Sequence, residues 1–342
     1  MPMILIRGKE GLIHRTGKEF QNVFQNLFKQ RGKWRRKAAE LDHYYSEDAP
    51  RAKNERKQVI CLFDGRTDHY GMTDRLRGMV SAYYVSKEMD YDFRIWFVNP
   101  FRLEDYLEPN VVDWRISGDA ISYNPKDSRI MYCGSNGTLV EPFFQKLWFK
   151  KCFRETPRQL HVYTNAHLLP RGTKFGDLFN ELFKPTEKVE SAVRQYTASL
   201  GGPYYTVSLR FQRLLGDFHE RDGYDISADE QQQLMDCCVE RISQLHHSLD
   251  VSKKIMLMSD SVRFLEYAAQ RLDYVSYVPG KVQHIDFYDN TGDDVNIKLF
   301  ADILIISRAE QAFLLQTGRM YNSGFPRRAA QVGNVPFKHI RF

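Results

Sequence analysis

The sequence predicts an α/β protein made of two α/β units with an anion-binding cleft. Three observations predict it. At 342 residues the chain exceeds what one hydrophobic core usually serves, so two units are expected. From Gln58 a strand, loop, helix, strand pattern appears, the signature of parallel strands joined by a right-handed crossover. After Gly201-Gly202-Pro203 strands and helices alternate again, and each strand ends in a polar group. The expected division is a basic N-terminal helical segment and linker over 1–57, a first unit over 58–200 and a second over 201–342.

Composition narrows the classes. Apolar residues make up 42% and charged residues 27%, which describes a globular chain rather than a disordered one. Against 43 acidic side chains stand 49 basic ones, for a net charge of +6. That excess favours anionic ligands or an anionic membrane surface and does not call for nucleic acid. Cys61, Cys133, Cys152, Cys237 and Cys238 form no C-x-x-C pair and no zinc-like spacing, so they read as reduced structural thiols, with neither metal nor cofactor expected. Met1 to Ile13 lacks the apolar core and cleavage site of a signal peptide, and no window approaches 18 uninterrupted apolar residues. The expectation is a cytoplasmic protein, with Asn136-Gly137-Thr138 a chance sequon.

In chain order, residues 14–45 read as a helix, because Phe20, Val23, Phe24, Leu27 and Phe28 recur at spacings of three and four. Lys29, Arg31, Lys33, Arg35, Arg36 and Lys37 surround Trp34, the composition of a segment lying on anionic lipid, with peripheral contact at the inner membrane through 14–45, or of a solvated basic face beside an ordinary core helix. Residues 46–57 are polar and link this segment to the first unit. Val59 to Phe63 is a strand, Asp64 to Tyr70 a polar loop, Thr73 to Met89 a helix and Phe93 to Val98 a strand. Over 100–190 two aromatic helices stand out, at Phe143 to Phe153 and Phe175 to Phe183. Tyr204 to Phe211 reads as a buried strand, and Ser227 with Glu230 as a capping box opening a helix to about Leu249. Lys254 to Met258 is a strand, Val262 to Arg271 a helix, Val295 to Phe300 a helix, Asp302 to Ser307 a strand and Arg308 to Thr317 a helix.

The chemistry centres on Arg210. It stands at the carboxyl end of the Tyr204 strand, the edge at which open α/β sheets bind ligands, and a guanidinium there can hold a phosphate through two parallel hydrogen bonds. In the first unit the loop from Asp64 to Arg75 runs from a strand end into a helix N-terminus, where backbone N–H groups attract anions. Asp64, Asp68 and His69 in that loop are suited by type to take a proton from a hydroxyl, and Asp68 is the preferred base.

Three separated pieces, in order, resemble the fucosyltransferase-like glycosyltransferases, the broad group that includes nodulation-type, core and protein O-fucosyltransferases. Gly71-Met72-Thr73-Asp74-Arg75-Leu76-Arg77-Gly78-Met79 resembles that group's Gly-rich loop entering the first long helix. Val207-Ser208-Leu209-Arg210-Phe211 is similar to the strand bearing its H-x-R motif. The stretch from Asp302 to Ser307 on to Ser323-Gly324-Phe325 resembles its late strand and Ser-Phe turn. The pattern departs at Thr73, which replaces the second glycine, at Ser208, which replaces histidine, and at Arg213, where an acidic residue is usual. The resemblance spans roughly residues 58 to 335 and implies a GT-B fold, two Rossmann-like domains facing across a cleft. It implies a GDP-sugar donor, GDP-fucose, and metal-free transfer with inversion to a hydroxyl of a glycan acceptor. It also implies donor-binding roles for Gly71, Asp74, Arg75 and Ser208, a phosphate nest at Ser323, Gly324 and Phe325, and acceptors for guanine or ribose at Asp302 and Asp260. Arg210 would stabilise the charge that grows on the leaving diphosphate. A cytoplasmic chain of this kind would suit assembly of a bacterial surface polysaccharide. The alternatives are a GT-B transferase using another nucleotide sugar and a noncatalytic module that binds polyanions or membranes.

Two motifs are set aside. Asp90-Tyr91-Asp92 spells a metal-binding D-x-D, but it precedes a strand where the metal role requires it to follow one. His246 and His247 are helical neighbours that point in different directions and cannot chelate together.

Overall fold

Two parallel sheets organise the chain. The computed structural model describes residues 6–8, 11–13, 31–134, 141–218, 224–280 and 292–342. A hairpin of β1 (Ile6–Gly8) and β2 (Gly11–Ile13) comes first, and helix α1 covers residues 31–39. Strands β3 (Gln58–Phe63) and β4 (Asp92–Phe97) follow, with helix α2 (Met72–Glu88) between them. Strand β5 (Leu107–Pro109) precedes β6 (Ser128–Cys133), helix α3 (Glu141–Glu155), β7 (Gln159–Thr164), helix α4 (Phe175–Leu182), β8 (Phe183–Pro185) and helix α5 (Glu187–Thr197). The first sheet runs β4-β3-β7-β6, all parallel, and β5 pairs with β8 apart from it.

The second sheet is also parallel throughout. Strand β9 (Tyr205–Leu209), helix α6 (Ala228–His247), β10 (Ile255–Ser259), helix α7 (Val262–Ala269), β11 (Val275–Tyr277), helix α8 (Asp293–Ser307), β12 (Gln311–Gln316), helix α9 (Phe325–Val332) and β13 (Phe337–Arg341) alternate along the chain. Their order in the sheet is β11-β10-β9-β12-β13. The winding reverses between β9 and β12, as it does between β3 and β7 in the first sheet. At such reversals the carboxyl ends of the strands open onto a crevice.

Burial explains the strand sequences. Val59 to Phe63 and all of β9 are buried because helices cover both faces of these central strands, so the runs are continuously apolar. Edge strand β4 alternates instead, with Phe93, Ile95 and Phe97 turned inward. One core joins the first sheet to Phe300, Ile303, Ile305, Ala329 and Val332 of α8 and α9. A second lies on the other face of the second sheet, against Met235, Cys238 and Ile242 of α6 and Phe264 and Leu265 of α7. The capping box at Ser227 is complete in both halves.

Two expectations are corrected. Asp302 to Ser307 is helix, not strand, and Gln311 to Gln316 is strand, not helix. Phe300 to Ser307 is buried without interruption because α8 is packed on all sides, and periodicity cannot separate such a helix from a buried strand. The isoleucines at 303, 305 and 306 argue for a strand, whereas β12 contains no β-branched residue at all.

The lipid-surface expectation is also corrected for the described part of 14–45. Trp34 and Leu41 are buried in the first core, and the Arg31 and Arg35 guanidiniums lie over the Trp148 ring at 4.3 and 5.6 Å. The indole needed to anchor a membrane helix is therefore committed to the protein interior. Phe20, Val23, Phe24, Leu27, Phe28 and the sequon at Asn136 lie outside the described residues. Among the described residues no helix is long and apolar enough to cross a membrane.

Candidate active site

At the carboxyl edge of the second sheet, Arg210 directly follows β9. Its Nε lies 3.2 Å from Asp260 Oδ2, and its guanidinium covers the Phe218 ring at 4.4 Å. Asp260, at the end of β10, also accepts from the backbone N–H of Phe211 (2.9 Å) and of Gln212 (2.7 Å). Gln212 sits in the left-handed region at φ 54°, a cost that these bonds offset. Burial raises the proton affinity of Asp260, while the Arg210 charge and the two N–H donors oppose it. The expected role of Asp260 as an acceptor for guanine or ribose is therefore corrected. Its carboxylate is fully buried and occupied, and it fixes the turn that aims Arg210.

The loop after β12 joins the same edge, where Tyr321 N–H donates to Arg210 O at 3.0 Å. Ser323 Oγ accepts from Phe325 N–H at 3.3 Å, Gly324 caps α9, and Pro326 opens its first turn. Arg210, Ser323, Gly324 and Phe325 are thus brought together. Ser208 stands two residues before Arg210 with its hydroxyl buried and without a hydrogen-bond partner among the described residues. Asp302 is not at this edge. It lies within α8, buried, 3.0 Å from Lys298 Nζ, and its expected nucleotide contact is corrected accordingly.

The carboxyl edge of the first sheet carries a pocket lined by Phe63, Asp68, His69, Tyr70, Tyr132, Cys133, Tyr163 and Thr164, which come from the ends of β3, β6 and β7 and from the loop. Tyr70 is exposed and held at φ 63°, a strained conformation for a bulky residue, and its hydroxyl meets that of Tyr132 at 3.4 Å. Asp68 is exposed at this pocket. Asp64 is enclosed, accepting from Arg66 N–H and from the Tyr163 hydroxyl, each at 3.1 Å.

His69 is corrected as a catalytic base. It is buried against Tyr163 and Phe63, and its Nε2 accepts the Gly65 N–H at 3.1 Å, which places its own proton on Nδ1. Burial, with the Arg75 charge, pushes its pKa down to about 3. Arg75 is corrected as a donor ligand. Its buried guanidinium donates to Tyr70 O (2.8 Å) and Asn99 O (2.9 Å) and braces the loop from below. Gly71 caps α2, and Asp74 in its first turn pairs with Arg77 at 2.9 Å. Gly78 lets α2 approach β7, since a Cβ there would stand 2.0 Å from Thr164 O.

Tyr132, Tyr163, Thr164, Arg77, His167 and Arg328 escape the sequence reading. For the first three a signal existed, because they end strands just as Arg210 nearly does. Asp90 pairs with Arg56 at 2.9 Å beside the start of β4, away from both carboxyl edges. No three His, Cys, Asp or Glu side chains converge on a metal position among the described residues.

No protein-family model matches the chain, and no curated protein does. Solved structures do match. NodZ α-1,6-fucosyltransferase soaked with GDP-fucose has a TM-score of 0.51 at 17% identity, over 84% of this chain and 95% of that one. NodZ co-crystallised with GDP reaches 0.53 at 16% identity, over 84% and 96%. A mutant of Arabidopsis thaliana FUT1 in complex with GDP reaches 0.52 at 15% identity, over 84% of this chain and 71% of that one. The chain has the fucosyltransferase-like GT-B fold, two Rossmann-like units facing across a cleft.

Proposed function

We propose that this protein is a glycosyltransferase that transfers fucose from GDP-fucose to a glycan hydroxyl, with inversion and without a metal ion, on the cytoplasmic side during assembly of a bacterial surface polysaccharide. The observation that carries the reading is Arg210, fixed by a fully buried carboxylate at the winding reversal of a five-stranded parallel sheet. NodZ, which shares the fold, was solved with GDP and after soaking with GDP-fucose, which supports that donor class.

The chemistry follows from charge. As the bond from the anomeric carbon to the β-phosphate oxygen breaks, its electron pair leaves with GDP and the sugar becomes oxocarbenium-like. Arg210 meets that growing negative charge more strongly in the transition state than in the ground state. On the opposite face, Asp68 accepts the acceptor's hydroxyl proton while that oxygen bonds to the anomeric carbon. Attack opposite the leaving group inverts the centre.

GDP release from GDP-fucose, assayed with a mixed glycan acceptor pool, tests this reading. Arg210→Ala should lower kcat by about 100- to 1000-fold, the usual cost of losing a preorganised charge-stabilising donor. Asp68→Asn should lower it by about 100-fold or more. Unchanged turnover in Arg210→Ala would remove the proposal's foundation.

A further inference from the structure

Among the described residues Tyr70 is the one aromatic residue whose backbone lies in the left-handed region, at φ 63°. Asp90 (φ 56°) and Asn334 (φ 55°) carry the short polar side chains that suit this region, and Gln212 is held in it by the bond from its N–H to Asp260. A glycine would meet the turn at residue 70 without strain. Instead the turn is buttressed from below, where the buried Arg75 donates to Tyr70 O at 2.8 Å and to Asn99 O at 2.9 Å. Burial does not repay the strain, since Tyr70 remains 40% exposed. A strained, braced and exposed ring marks a constraint set by something outside the fold.

The ring is fixed at its far end as well. Its hydroxyl meets that of Tyr132 at 3.4 Å, and a Cβ on Gly134 would stand 3.6 Å from the Tyr70 hydroxyl and 3.8 Å from Trp34 Nε1. Tyr70 thus walls the pocket of the first sheet two residues after Asp68, which lines the same pocket. Two other hydroxyls there are engaged within the protein: Thr164 Oγ1 donates to Cys133 O at 2.7 Å, and Tyr163 donates to Asp64 at 3.1 Å. The pocket therefore offers a ligand an exposed phenol ring, the Asp68 carboxylate, and a Tyr70–Tyr132 hydroxyl pair long enough for a ligand hydroxyl to take over either partner. A pyranose matches this set. The C–H groups on one side of its ring form an apolar face that packs on an aromatic ring, while the hydroxyls at its edge reach polar groups. A ring held in place beforehand loses little freedom on binding.

We infer that Tyr70 is the platform that positions the acceptor, taking a pyranose ring by its apolar face and setting one hydroxyl of that ring over Asp68. The inference rests on the proposed transfer to a glycan hydroxyl. It makes the strained turn at Tyr70 the device that aims the acceptor.

Saturation-transfer NMR on the full chain, with methyl β-glucopyranoside and methyl β-galactopyranoside as probes and no nucleotide present, tests it. In the wild type, saturation should reach the protons on one face of the sugar ring more strongly than those on the other. Tyr70→Phe keeps the ring and should keep the signal. Tyr70→Asn, whose side chain tolerates the left-handed turn, should weaken binding by about 3- to 10-fold, the scale of one aromatic contact, with an unchanged circular dichroism spectrum. Tyr70→Gly repeats the loss on a backbone without strain and decides the matter if Tyr70→Asn does not fold. In the turnover assay both ring-less variants should raise the KM for the acceptor and leave that for GDP-fucose unchanged. Undiminished glycoside binding in the folded ring-less variants, loss of binding in Tyr70→Phe, or a wild type that binds neither glycoside would overturn the inference, and the proposed donor would stand as long as GDP still stabilised the wild type. A wild type that responded to neither glycoside nor to GDP would overturn both.

Discussion

At the scale of the residue, the site depends on how one guanidinium is held. Arg210 can stabilise a leaving diphosphate only if its position is fixed beforehand, and Asp260 fixes it from three directions at once, through the ion pair and two backbone bonds. Breaking a buried pair by removing one partner typically costs about 3–5 kcal/mol. Asp260→Ala should therefore lower the unfolding free energy, read from the denaturant midpoint and slope, by an amount in that range and reduce kcat, although Asp260 touches no substrate. A full-strength kcat in a folded Asp260→Ala protein would show that Arg210 needs no such support. The position of Arg210 at the sheet edge was legible in the sequence because a strand end places a residue without reference to its neighbours. The roles of Arg75, His69 and Asp260 were not, because residue type does not reveal whether a side chain turns toward the crevice or back under the loop. Here Tyr70 O, Gly65 N–H and Phe211 N–H claim them from within.

At the scale of the element, α8 and β12 show where composition misleads. Tertiary packing overrides local preference in both, and with the strand and helix exchanged Asp302 loses its expected place at a sheet edge. Its real partner is Lys298, one turn earlier. Two buried charges that, among the described residues, satisfy each other can be replaced together. Lys298→Met combined with Asp302→Leu should leave stability unchanged or raise it by about 1–4 kcal/mol and should keep GDP binding intact. Asp302→Leu alone, which strands the lysine, should be destabilised by about 3–5 kcal/mol. Loss of GDP binding in the stable double variant would return Asp302 to the nucleotide. By contrast β3, α2, β4, β9, β10 and α7 were legible, because strong apolar runs and clear turn residues bound each of them.

At the scale of the whole molecule, the two parallel sheets and the winding reversal of each create the cleft, and the alternation of strand and helix announced that much. The packing of α1 against the first core was hidden, since a tryptophan among cations has the same composition whether it meets lipid or protein. The interior also carries a pH response. His69 and His161 are held neutral, each pushed down to about 3 mainly by burial, and His167 to about 4. Unfolded histidine titrates near 6.5. Above that pH the stability is fully present. As pH falls below it, the unfolded chain takes up protons that the folded one refuses, and stability declines down to about pH 3. Melting temperature should therefore fall as pH is lowered from about 6.5 to about 4.5, and the fall should be shallower in His69→Gln. An equally steep fall in that variant would mean His69 is not among the groups responsible.

If the cleft holds the diphosphate of a guanine nucleotide without help from a metal, GDP should stabilise the fold. Thermal stabilisation by GDP, UDP and ADP, each with and without EDTA, tests it most directly, because binding to the native state raises apparent stability by mass action. The shift with GDP should exceed those with UDP and ADP, persist in EDTA and disappear in Arg210→Ala. A larger shift with UDP, or one abolished by EDTA, would contradict it.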